Sequence, residues 1–155
     1  MNEMTRMFAA AMVGAALSVA AGDASALNLR IGRAAVDNRG NLVLYVSETG
    51  LTPRATLTYD VQARREVVYQ CFLDDGTPLP AATAIDAPFI VRPLTTSARG
   101  TISGTIVVSR PIDPRCPDPF DDPRILRVTY SDIRVSRGGA SATVPAVTRE
   151  FGRPR

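Results

Sequence analysis

From position 55 to 73 nearly every odd residue is apolar. Ala55, Leu57, Tyr59, Val61, Ala63, Val67, Tyr69, Cys71 and Leu73 alternate with mostly polar even positions, and Arg65 is the one charged residue in the apolar phase. A period of two is the mark of a strand with one buried face. Laid out straight, 19 residues would reach roughly 60 Å at about 3.3 Å each. A compact domain of this size is only about 35–40 Å across. The pattern therefore predicts a strand that bends or passes between sheets near "QARRE" (62–66). That stretch lacks Gly, Pro and Asn, so a tight hairpin is disfavoured there.

The rest of the chain carries the same signature in shorter pieces. "LNLRI" (27–31) alternates, "DNRGN" (37–41) has turn chemistry, and "LVLYV" (42–46) is apolar on both faces, after which "SETGLTP" breaks the pattern. "LDDGTPLPAA" (73–82) reads as turn and loop, and "APFIVRP" (87–93), with proline at both ends, as an edge strand. "TISGTIVVSR" (101–110) alternates through Ile102, Ile106 and Val108. In "ILRVTYSDIRVSR" (125–137) the apolar phase moves from Leu126, Val128 and Tyr130 to Ile133 and Val135, the slip that a β-bulge at Ser131–Asp132 would produce. "GGASATVPAVTREF" gives a Gly-Gly turn and a weak last strand. No stretch sustains a helical period with caps. Short strands with turns between them predict an all-β domain. The expected architecture is an antiparallel β-sandwich, immunoglobulin-like in broad outline.

The N-terminus belongs to a different class. "MNEMTR" carries one positive charge, residues 7–22 are apolar, and Ala24-Ser25-Ala26 is a small-residue cleavage signal. This is a secretory signal-peptide pattern. The apolar run is shorter than the roughly 20 residues needed to span a bilayer. Residues 1–26 are expected to be removed, with 27–150 a single domain and 151–155 a basic tail. Taking Arg6, Glu3 and Asp23 from 18 basic and 15 acidic residues leaves 17 and 13, a net charge of +4. No later segment is apolar enough to span a membrane, and the expected location is periplasmic or extracellular.

Composition then narrows the chemistry. All basic residues are arginine, and there is no histidine or tryptophan. No basic run exceeds Arg64-Arg65, so a nucleic-acid footprint is missing. The lack of imidazole removes the usual neutral-pH base and the nitrogen ligands of zinc and copper. Ser-His-Asp and Cys-His catalysis cannot be assembled from this chain alone. No enzymatic activity is expected.

Cys71 closes the long alternating run and Cys116 lies in "DPRCPDPFDDPR" (113–124). Two cysteines in an exported chain predict one disulfide, Cys71–Cys116. That bond would bring Asp74 and Asp75 towards Asp113, Asp118, Asp121 and Asp122. Six carboxylates in sandwich loops are a candidate calcium set, since calcium takes 6–8 oxygen ligands. The spacing matches no strict calcium motif. The prolines stiffen the loop without an ion, and Arg115 and Arg124 supply countercharge. A solvated or salt-bridged loop with no cofactor is the expected reading. Tyr45, Tyr59, Tyr69 and Tyr130 fall in strands and are expected in or beside the core.

"YQCFLDDGTPLP" (69–80), "RCP" (115–117) and "LRVTYSDIRV" (126–135) together resemble a pattern in small secreted bacterial proteins of unassigned function. In that group a strand ends Tyr-x-Cys, a Gly turn leads to Pro, a Cys-Pro follows, and a Val-x-Tyr-Ser/Thr-Asp strand closes the domain. The resemblance covers roughly residues 51–135. It implies the β fold and the disulfide, and it carries over no catalytic residue. Asp74-Asp75 stands where the group usually has Asn before its Gly turn.

The sequence thus predicts an exported, monomeric, non-catalytic structural or binding module for an unidentified protein or glycan. A calcium-assisted adhesion or carbohydrate-binding module is the second reading. A small secreted enzyme or enzyme inhibitor is the third.

Overall fold

Inward-facing alternation explains most of the strands. The computed structural model describes residues 29–109, 113–117 and 123–152. The signal-peptide reading of residues 1–26, the carboxylates of Asp118, Asp121 and Asp122, and residues 153–155 lie outside them. Among the described residues nine strands and no helix form. They are β1 (Ile31–Val36), β2 (Leu42–Glu48), β3 (Thr56–Gln70), β4 (Ala82–Asp86), β5 (Phe89–Thr95), β6 (Ile102–Val108), β7 (Arg124–Arg137), β8 (Ala140–Val144) and β9 (Val147–Glu150).

The strands make two antiparallel sheets. One is β1-β2-β6. The other is built on two long central strands, β3 and β7, paired along their length. The outer edge of β3 is shared, β5 taking residues 56–62 and β4 residues 65–69. The outer edge of β7 is shared in the same way, β9 taking 127–130 and β8 taking 133–137. The β3 alternation therefore runs through as a single strand, with no hairpin at 62–66. Its neighbour changes there instead, where Ala63 N–H donates to Pro88 O at 3.2 Å.

The bulge falls where the phase slip predicts it. Gln62 faces Arg134 and Arg64 faces Ser131, so Ala63 is set against both Asp132 and Ile133. Asp132 takes up the extra residue at φ 51°, and Ile133 and Val135 return to the core. A second slip in β7, between Ile125 and Arg127, gives Leu126 no direct partner in β3.

Three strand assignments need correction. The first alternating run, 27–31, meets a strand only at its last residue: β1 is Ile31–Val36, whose Gly-Arg-Ala-Ala interior lacks an apolar alternation and is paired by β2. The turn and loop read at 73–82 is followed directly by a strand that the sequence pattern does not mark, β4 (Ala82–Asp86). Its short Ala-Thr-Ala-Ile-Asp run carries no strong apolar alternation, and its pairing is supplied by β3. The single weak strand after Gly138-Gly139 is two strands, β8 and β9, separated at Pro145-Ala146, because proline cannot donate to a continuing ladder.

The core lies between the sheets. Leu42, Leu44 and Val46 of β2 and Ile102, Ile106 and Val108 of β6 face Tyr59, Val61 and Val67 of β3 and Val128, Tyr130, Ile133 and Val135 of β7. Burial of each large aliphatic side chain contributes about 1.5–3 kcal/mol. β6 lies beside β5 on one flank, and β1 lies beside β8 and β9 on the other. The architecture is the expected antiparallel sandwich. Its disulfide joins Cys71 to Cys116, with Cα atoms 5.8 Å apart. No helix among the described residues is long and apolar enough to cross a membrane.

Candidate functional site

The acidic loop is the site that the sequence singled out. Asp74 and Asp75 are exposed on the turn after Cys71, where Gly76 adopts φ 83°. Asp75 Oδ1 accepts from Thr77 N–H at 2.8 Å, and this bond holds its carboxyl below the ordinary Asp range. Asp113 is exposed near the disulfide. Among the described residues no three acids or cysteines gather in a metal-holding group. On the same turn the Arg124 guanidinium stacks 4.7 Å from the Phe72 ring centre, a cation–π contact that fastens the end of β7 to the loop.

Polar chemistry concentrates elsewhere, on the inward face of the strands. Glu48 continues the inward series Leu42, Leu44 and Val46 and is 3 % exposed. Arg137 continues Ile133 and Val135 and is 7 % exposed. Tyr59 is fully buried beside them. Its hydroxyl donates to Glu48 Oε1 at 2.6 Å, and Arg137 Nη2 donates to Glu48 Oε2 at 2.8 Å. The guanidinium also stands 6.0 Å from the Tyr59 ring centre. Burial, reinforced by the adjacent Glu48 carboxylate, pushes the Tyr59 hydroxyl well above the ordinary tyrosine range. Both carboxylate oxygens of Glu48 are thus engaged, which is the condition for keeping a charge inside a sandwich.

A second buried cation lies further along β3. Arg65 Nε donates to Asp86 Oδ1 at 2.8 Å, and its Nη2 contacts Asp86 Oδ2. Tyr130, opposite Arg65 in the ladder, donates to Gly40 O at 2.9 Å and so ties β7 to the β1–β2 turn. Burial raises the Tyr130 hydroxyl's pKa, and the neighbouring Arg65 charge offsets part of that rise.

The first of these clusters borders a cleft. A hollow of about 850 Å³ opens between the start of β1, the end of β2 and the end of β8, lined by residues 29–32, 47–50 and 142–145. A smaller hollow of about 210 Å³ continues it along β1, sharing Ile31, Gly32, Val144 and Pro145. Together they make a groove on the flank where the edges of the two sheets approach. Glu48 lies in its wall.

The sequence reading did not find this groove. It ended the second strand before Ser47, because a glutamate followed by Thr-Gly resembles a loop. The available signal was parity: Glu48, Arg65 and Arg137 each fall in the inward phase of a strand. Of the four tyrosines, Tyr59 and Tyr130 are in the core, Tyr69 is half-buried, and Tyr45 is 44 % exposed on the outer face of the first sheet.

Comparison with known protein families, with characterised proteins and with solved structures gives no match for this chain.

Proposed function

We propose that this protein is an extracytoplasmic, non-catalytic binding module and that the flank groove between β1 and β8 is its ligand seat. The observation that carries this reading is the form of the groove: a cleft of about 850 Å³ with a mixed apolar and polar lining, whose one acid, Glu48, is already held by Arg137 and Tyr59. A carboxylate locked in this way supports the wall and is not offered to a substrate. The Cys71–Cys116 bond supports an oxidising compartment, where such staples persist. The N-terminal leader pattern in the sequence supports export.

The test is site-specific photocrosslinking in the native host. A benzophenone side chain replaces Thr143 at the groove, and in a control protein replaces Asp74 on the distant turn. Discrete adducts from position 143 and none from position 74 are expected. Adducts that are equal at both positions, or absent from position 143, would remove the groove as the seat.

A further inference from the structure

The groove is bordered by two strand edges. Among the described residues β1 forms a ladder with β2 alone and β8 with β7 alone, and at the end of β1 Val36 O also accepts from Arg149 Nη1 of β9 at 3.3 Å. In an antiparallel strand with one neighbour, alternate N–H and C=O groups point the other way. Residues 29–34, the first four residues of β1 and the two before it, run along the groove, a reach of about 20 Å at roughly 3.3 Å per residue. That matches an extended peptide of similar length. The lining between the edges is partly apolar, with half-buried Ile31, Ala142 and Val147 beside the buried Leu29 and Val144, and Ser47, Thr49 and Thr143 among them. A strand laid here would bury alternate side chains and point the others outward.

The charges around it have one sign. Arg30 and Arg33 line the β1 side, are exposed, and form no ion pair with any described residue. Exposed Arg134 lies opposite Thr143 in the adjoining β7–β8 ladder. Glu48, the acid of the lining, is neutralised within the wall. A ligand entering the groove therefore meets uncompensated positive charge and hydrogen-bonding backbone, over a partly apolar floor.

Building on the binding-module reading, we infer that the groove takes an extended, acidic segment of a partner polypeptide, which adds to β1 as a further strand. Backbone pairing supplies the attachment, alternate apolar side chains fill the floor, and acidic residues at its ends meet Arg30, Arg33 and Arg134.

The probe is an eight-residue capped peptide of alternating valine and threonine with glutamate at each end. A second peptide carries lysine in place of glutamate. Each is titrated into the exported, oxidised, isotope-labelled protein, and amide shifts are followed by NMR. The glutamate peptide is expected to cause saturable shifts confined to residues 29–34 and 140–147, with at least tenfold weaker binding of the lysine peptide. Arg30→Glu combined with Arg33→Glu should reverse that preference. No shifts at about 1 mM, the weak end of measurable affinity, or equal shifts from both peptides, would overturn the inference. So would concentration-dependent shifts of the same amides without peptide, which would make a second copy the occupant. Binding that appears only after residues 27–28 are removed would make the chain's own N-terminal segment the occupant, and overturn it as well. If position 143 crosslinks a partner but the glutamate peptide is not preferred, the acidic-strand inference fails while the groove remains the seat.

Discussion

Replacing Glu48 by alanine removes the acceptor shared by two buried donors. The guanidinium of Arg137, 7 % exposed, loses its 2.8 Å partner, and the Tyr59 hydroxyl loses its 2.6 Å acceptor. Breaking a buried ion pair from one side costs about 3–5 kcal/mol, because the remaining charge stays desolvated. An orphaned buried hydroxyl accounts for about 1–3 kcal/mol by itself, so it is a share of that figure and not an addition to it. A domain with a total stability near 5–15 kcal/mol would lose about a fifth or more. At a urea slope of about 1–3 kcal/mol/M, the unfolding midpoint should fall by roughly 2 M. Tyr59→Phe removes one bond and keeps the ion pair, so its loss should be clearly smaller. Glu48→Leu combined with Arg137→Met removes both charges and should recover the share due to the stranded guanidinium, leaving the share of the orphaned Tyr59 hydroxyl and giving a clear coupling in the double-mutant cycle. A Glu48→Ala loss below about 1 kcal/mol, or a double variant as unstable as the sum of the singles, would refute the buried pair.

Three further outcomes follow from the fold. Cys71→Ser with Cys116→Ser should lower stability by about 4 kcal/mol in urea titrations, the loop-entropy cost for cysteines 45 positions apart. Asp132→Val should cost about 1–2 kcal/mol, since a β-branched residue resists the φ of 51° that the bulge requires; Asp132→Gly should cost less than half of that. Tyr59 and Tyr130 have hydroxyl pKa values above the unfolded value near 10, so the folded state holds protons that the unfolded state gives up. Their contribution is intact below about pH 10 and declines as pH rises through the folded values. Chemical denaturation from pH 8 to 11.5 should show that decline, with a shallower slope in Tyr59→Phe.

Much of the fold was legible because burial and strand period are locked together. The odd-numbered series through Tyr59, Val61 and Val67 marked β3, and the jump from Tyr130 to Ile133 located the bulge to the pair Ser131–Asp132. The disulfide followed from two cysteines in a chain whose first residues read as a signal-peptide pattern. β4 was not legible, because an edge strand with few large side chains owes its form to the neighbour that pairs with it. Nor was the groove. Sequence parity can flag Glu48, Arg65 and Arg137 as inward charges, but which cation meets which acid depends on how β2 and β7 face each other across the core. The gap between the edges of β1 and β8 is a property of sheet packing, and no local pattern encodes it.

The account rests on that gap being open, and amide hydrogen exchange reads it directly. In the oxidised protein without ligand, the amides of β3 and β7 should be the most protected, since both strands are paired on both edges. The alternate amides of Ile31–Val36 and Ala140–Val144 that point away from β2 and β7 should exchange close to the rate of an exposed edge. Protection of those edge amides equal to that of β3 would mean that the groove is closed, and would contradict both the proposed seat and the added strand.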